Sequence, residues 1–173
     1  MDEINGLTRE NGSSDILALT HEITYRRYLM NKGKIKELFE KLSIPEYIAL
    51  YNIDMERELS SIYGEKTYLK DLSEKMELSM RKTSRMIGNL RDRGLLLWSH
   101  DGNGSEGTYV IITDSGKKLL KEQEEVLRKF YGNVIDKFGK EKLIQLLQLM
   151  KELDTIMCSE FEDMEEEDGE EII

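Results

Sequence analysis

Between Ser79 and Arg85 the chain reads SMRKTSR, three cations and three hydroxyl side chains with no acid among them. That chemistry suits an anionic polymer. Arg and Lys can donate to guanine O6 and N7, and hydroxyls can serve base edges or phosphates. The apolar spacing places Thr83, Met86, Ile87 and Leu90 on the inward stripe of a helix, which leaves Arg81, Lys82, Ser84 and Arg85 off it. A solvated helix face is the plain alternative. Cations in the first turns of a helix oppose its dipole, however, and that cost favours a functional reason for them. Lys66, Lys70 and Arg91 suit phosphate better than base edges. Asn103 and Ser105 lie in a glycine-rich loop, where they could donate to a sugar–phosphate backbone or serve only as loop residues.

Nothing comparable supports catalysis. The sequence has no His/Cys or Ser/His pair at useful spacing, no phosphate-cradling glycine loop and no paired acid in an apolar context. Two isolated histidines and one cysteine form no metal-ligand cluster, so neither metal nor cofactor is expected. Cys158 sits beside Glu160 and Glu162, surroundings that do not favour the thiolate a redox sensor needs.

The elements that position the basic segment follow from periodicity. Leu69, Leu72 and Met76 form one face of a short helix, and Ser79 is placed to cap the next. Gly94 ends that second helix. Two β-type runs follow, Leu95–Ser99 and Thr108–Thr113, joined by DGNGSEG as a hairpin tip. Helix, turn, helix and hairpin in that order make a winged helix-turn-helix, in which the second helix enters the DNA major groove by its N-terminal residues.

From Leu42 to about Glu122 the chain resembles the MarR family of bacterial transcription regulators. LSIPEYIALYNI is similar to the opening of that family's second helix, LSMRKTSRMIGNLRDRGLL to its recognition helix with Arg85 at the usual arginine, and VIITDSGKKLL to its exit from the wing. The resemblance implies a mainly α fold with a small β-wing, a winged helix-turn-helix flanked by N- and C-terminal dimerisation helices. It implies a homodimer on a palindromic double-stranded DNA site and a repressor as the output. It also implies a small-molecule effector held between the dimer helices and the DNA-binding lobe. His21, Tyr25 and Tyr28 at i, i+4, i+7, with Tyr47 and Tyr51, form a polar-aromatic stripe that could line such a cleft. The same stripe also suits interface packing with satisfied hydroxyls. Two departures stand out: the wing has no Lys or Arg between Arg93 and Lys117, leaving His100 as its one source of positive charge, and Glu77 occupies a turn position where the family often has glycine.

A net charge of −10 opposes a polyanionic partner, but the charge is segregated. Glu160 to Glu171 carries nine acids and no base, whereas Lys66 to Trp98 carries eight bases against four acids. The acidic balance and bare wing keep a rival open: a winged-helix protein-interaction module or DNA mimic that has lost DNA binding.

By composition and periodicity the sequence divides into five stretches. Residues 1–14 form a flexible arm; residues 15–42 hold the N-terminal dimerisation helices, including a short helix Lys34–Lys41. Residues 43–118 form the DNA-binding region, opened by a Ser43-x-x-Glu46 capping box on a helix whose inward face is Ile48, Tyr51, Met55, Leu59 and Ile62. Residues 119–159 hold the C-terminal dimerisation helices, broken at Gly139, and residues 160–173 a disordered acidic tail. The absence of an apolar run of membrane-spanning length and of a signal pattern, with a single cysteine, leads to a cytoplasmic expectation and no membrane partner.

Overall fold

The computed structural model describes residues 12–32, 34–59, 66–102 and 107–170. Its elements in order are α1 (Gly12–Lys32), a 3-10 turn (Lys34–Leu38), α2 (Ile44–Leu59), β1 (Thr67–Tyr68), α3 (Leu69–Lys75), α4 (Met80–Asp92), β2 (Leu96–His100), β3 (Thr108–Ile112), α5 (Asp114–Phe138) and α6 (Lys140–Glu170). The fold is mainly helical with one small antiparallel sheet, as the winged-helix reading expects. The chain divides into two compact units, residues 1–117 and 118–173.

In the first unit the core is built where the helix-turn-helix meets the sheet. Leu42, Ala49, Leu50, Ile53, Leu69, Leu72, Ile87, Leu90, Leu96 and Val110 are all buried. β3 is the central strand, with β1 on one side and β2 on the other, both antiparallel. The register pairs Leu96 with Ile112 and Trp98 with Val110. Since side chains alternate along a strand, Leu96, Val110 and Ile112 face the core while Leu97 is left 59% exposed. β1 was not anticipated, because two residues give no periodicity to read. It adds the third strand through Thr67–Val110 and Tyr68–Tyr109 pairing.

The capping box forms as expected. Ser43 N–H and Oγ–H both donate to Glu46 Oε2, at 2.7 and 2.9 Å, and Glu46 N–H returns to Ser43 Oγ at 3.4 Å. The inward face of α2 is a different stripe from the expected one. Ala49, Leu50 and Ile53 are fully buried, whereas Ile48 and Tyr51 are about two-fifths exposed and Met55 is half-buried. IALYNIDM is apolar on two faces at helical spacing, so periodicity alone could not say which one the sheet would cover. The side chain of Leu59, and Ile62 altogether, lie outside the description.

Other boundaries also moved. The expected short helix Lys34–Lys41 is a 3-10 turn ending at Leu38, consistent with the limited length such turns sustain. α1 starts at Gly12, inside the expected arm, and runs to Lys32. α6 continues through the expected disordered tail to Glu170. Glu and Met are good helix formers, and extending an existing helix needs no new nucleus. The stop at Gly139 stands: its φ is +96°, and it separates α5 from α6.

In the second unit, Leu120 and Gln123 of α5 are buried. Beyond them the apolar stripe is largely open: Val126, Phe130, Tyr131, Val134 and Phe138 on α5, and Leu146, Leu147, Leu149, Met150, Leu153 and Ile156 on α6, are exposed. On α1, Ile16, Leu17, Leu19, Ile23 and Leu29 are exposed as well.

Candidate nucleic-acid interface

Two helix ends set the basic segment in place. Each is a Schellman motif. At α3, Glu77 N–H donates to Glu74 O and Leu78 N–H to Ser73 O. At α4, Gly94 N–H donates to Arg91 O and Leu95 N–H to Leu90 O. The left-handed residue is Gly94 in one, at φ +73°, and Glu77 in the other, at φ +52°. A side chain with a Cβ is disfavoured there by about 1–2 kcal/mol. Glu77→Gly is therefore expected to stabilise the chain by roughly 0.5–1 kcal/mol, because glycine's extra unfolded-state entropy offsets part of the relief. A thermal melt or denaturant titration checks the sign; a loss of stability would show that the turn is not strained.

Ser79 caps α4, its Oγ accepting from Lys82 N–H at 3.4 Å. Thr83 Oγ1 donates to Ser79 O at 3.3 Å, and Thr83, Ile87 and Leu90 are fully buried. The inner side of α4 is thereby locked. On its other sides Met80, Arg81, Lys82, Arg85 and Asn89 are exposed, and Ser84 is half-buried. No ion pair with a described residue is formed by Arg81, Lys82 or Arg85. Three cations thus stand together over the first two turns of a rigid helix.

The cations at the other end of α4 are engaged elsewhere. Arg91 pairs with Asp92 at 2.7 Å and lies over the Trp98 ring at 5.6 Å. The ion pair is well exposed and so weak, which leaves the guanidinium able to meet a phosphate. Arg93 donates to Glu46 Oε1 at 3.0 Å and to Lys41 O, joining the end of α4 to the start of α2. No periodicity in the sequence points to that link.

Lys66 and Lys70 flank β1 at the foot of the wing. Lys66 Nζ rests 4.4 Å from the centre of the Tyr109 ring, and Lys70 is exposed on α3. Tyr68 meets Tyr109 edge-on and donates its hydroxyl to Asp101 Oδ2 at 2.9 Å. That hydrogen bond, with lesser help from desolvation and the Asp101 charge, raises the Tyr68 pKa above the usual phenol value. His100 Nδ1 accepts from Gly102 N–H at 2.9 Å, which ties the end of β2 to the turn that follows. Asn103 and Ser105 lie outside the described residues.

The aromatic stripe is spread over two helices. His21, Tyr25 and Tyr28 are exposed on α1. On α2, Tyr47 stacks on Tyr51 at 6.3 Å and meets Phe39 edge-on at 5.7 Å. A nearby cleft is lined by Lys36, Phe39, Ser43, Ile44 and Pro45 and contains none of the five stripe residues. Cys158 is exposed on α6. Among the described residues, no group of three or more His, Cys, Asp or Glu is placed to hold a metal, and no helix is long and apolar enough to cross a membrane.

No protein-family model matches the chain, and no curated protein matches it by sequence. Its likeness is to solved structures. A MarR family protein from Bacillus stearothermophilus is 17% identical, with a TM-score of 0.58 over 87% of this chain and 99% of that one. BpsR of Bordetella bronchiseptica, whose DNA binding is regulated by 6-hydroxynicotinic acid, is 14% identical, with a TM-score of 0.62 over 79% and 98%. NadR in complex with 4-hydroxyphenylacetate is 17% identical, with a TM-score of 0.58 over 82% and 98%. By these likenesses the chain, with its capped α4 and three-stranded wing, has the winged-helix fold of the MarR regulators.

Proposed function

We propose that this chain is a DNA-binding transcription regulator of the MarR family, not an enzyme, and that it acts as a homodimeric repressor on a palindromic site. The observation that carries the reading is the cluster of Arg81, Lys82 and Arg85, exposed on the N-terminal half of a helix whose inner side is locked by Thr83, Ile87 and Leu90. Such a helix can lie in a major groove with its first turns against base edges. Lys66, Lys70 and Arg91 would hold the flanking phosphates. The strands of the wing carry no Lys or Arg, so these few cations make the phosphate contacts and binding is weak except at low salt.

The dimer accounts for the open apolar side chains of α1, α5 and α6. A second copy is the simplest cover, and a two-fold pair presents α4 twice to half-sites about one helical turn apart. The small-molecule effector is of the aromatic-acid class, to which 6-hydroxynicotinic acid and 4-hydroxyphenylacetate belong. It releases DNA if it binds one dimer conformation better than the other.

Selection of bound duplexes from a random library, at low and near-physiological salt, tests the reading. An inverted repeat with half-sites about 10 bp apart is the expected result, with sedimentation showing two copies per site. Salt-sensitive recovery without a motif would reduce the proposal to phosphate attraction. No enrichment at either salt would overturn it in favour of a protein-interaction module or DNA mimic, the role for which the acidic C-terminal segment and Asp101 at the loop end of β2 are suited.

A further inference from the structure

We propose that Gly88 is a specificity-determining position: with no side chain there, the backbone of α4 approaches the duplex closely enough for Arg81 and Arg85 to reach base edges. This role rests on the DNA-binding reading and adds to it the depth at which the helix sits. Gly88 lies inside α4, which runs on to Asp92. A glycine within a helix disfavours it relative to alanine, and the fold supplies no reason for one here. Positive φ values occur at Gly94, Gly102 and Gly139, not at Gly88. A Cβ at Gly88 would meet no atom within 4 Å, in contrast to one at Gly116. Gly132 of α5 shares both properties. What sets Gly88 apart is the face on which it lies.

Arg81, Arg85 and Gly88 follow at i, i+4 and i+7, one face of a helix. Thr83, Ile87 and Leu90 lie on the opposite face and are fully buried. Because that inner side is fixed, Gly88 is turned in the same outward direction as the two exposed arginines. The face ends one turn later at Asp92, an acid paired with Arg91. The surface that can meet a polyanion therefore runs from Arg81 to Gly88. A B-DNA major groove is about 12 Å wide, and an α-helix with its side chains is about 10–12 Å across. The fit is close, so a side chain on the groove face limits how far the helix enters. Glycine is the residue suited to such an approach of backbone to ligand. A methyl group at position 88 would hold the helix off the groove floor and withdraw the guanidinium groups from the bases. Base contacts need hydrogen-bond distance, whereas attraction to phosphate persists over roughly a Debye length of about 8–10 Å. Filling position 88 thus costs recognition before it costs affinity for DNA in general.

Gly88→Ala and Gly88→Leu both introduce good helix formers. Each is compared with the unmodified full chain on a selected duplex and on an unrelated duplex of equal length. Fluorescence anisotropy at low salt gives the affinities, and a thermal melt checks each fold. In Gly88→Ala the melting temperature should hold or rise while affinity for the selected duplex falls by about tenfold or more, as overpacking a close contact requires. Gly88→Leu should lose more. Affinity for the unrelated duplex should change little in Gly88→Ala, because no charge is altered. Unchanged or tighter binding of the selected duplex by Gly88→Ala would overturn the proposal and leave the regulator reading intact. Equal losses in the two variants would also overturn it, since a contact set by size grades with size. So would equal losses on the two duplexes, which would mark general damage. An unmodified chain that selects no motif would overturn the regulator reading and this role together.

Discussion

Replacing Arg85 by alanine is expected to weaken binding to a selected duplex by about 1–3 kcal/mol per half-site and to relax preference at one base position in each. The side chain lies in the second turn of α4, exposed, on a helix that cannot roll because Thr83, Ile87 and Leu90 are buried beneath it. It has no partner among the described acids to release before it can bind. A phosphate role would look different: the loss would be uniform across sequences, and the slope of log affinity against log salt would fall by about one per half-site. Lys121→Ala, on an exposed position of α5, is the control for simple loss of charge. Wild-type affinity and specificity in Arg85→Ala would remove α4 as the reading element.

The largest stability effect is expected at Gly116. A Cβ there would stand 2.2 Å from the Leu95 carbonyl oxygen and 2.8 Å from Ile112 Cγ1. The first contact is with backbone, which cannot rotate away. This crowding is the consequence of how the wing hands over to α5. Thr113 Oγ1 donates towards the carbonyls of Gly94 and Leu95 and accepts from Gly116 N–H at 3.0 Å, so the first turn of α5 is held directly against the Leu95 backbone. Gly116→Ala is expected to cost about 2–4 kcal/mol, a fall in Tm of very roughly 5–15 °C for a chain of this size. Gly88→Ala and Gly132→Ala meet no atom within 4 Å and lie inside helices. They should stabilise by up to about 1 kcal/mol, since alanine loses less backbone entropy than glycine in a helix. Calorimetric melts of the three variants decide the matter: equal effects would mean that the tight approach at Leu95 relaxes at little cost.

Local rules sufficed wherever one or two turns of chain decide the outcome. The Ser43 capping box, the Ser79 cap, the ends of α4 and α5 at Gly94 and Gly139, the inward trio Thr83, Ile87 and Leu90, and the two longer strands are all set by near-neighbour chemistry and periodicity. The resemblance in those same stretches led to the architecture. Questions of which surface meets which were decided only in three dimensions. α2 has two apolar faces, and the fold buries the one that carries Ala49, Leu50 and Ile53. β1 is a strand because Val110 and Tyr109 are there to pair with it, not because Thr67 and Tyr68 announce one. Arg93 counts as basic charge in the sequence yet in the fold is bound to Glu46, 47 residues away. Glu77 was visible as an unusual turn residue, but its positive φ is a property of the folded turn. Hydrophobic pattern and caps act over a few residues. Pairing partners, buried faces and ion pairs between distant residues depend on where the rest of the chain lies, and a one-dimensional period carries no record of that.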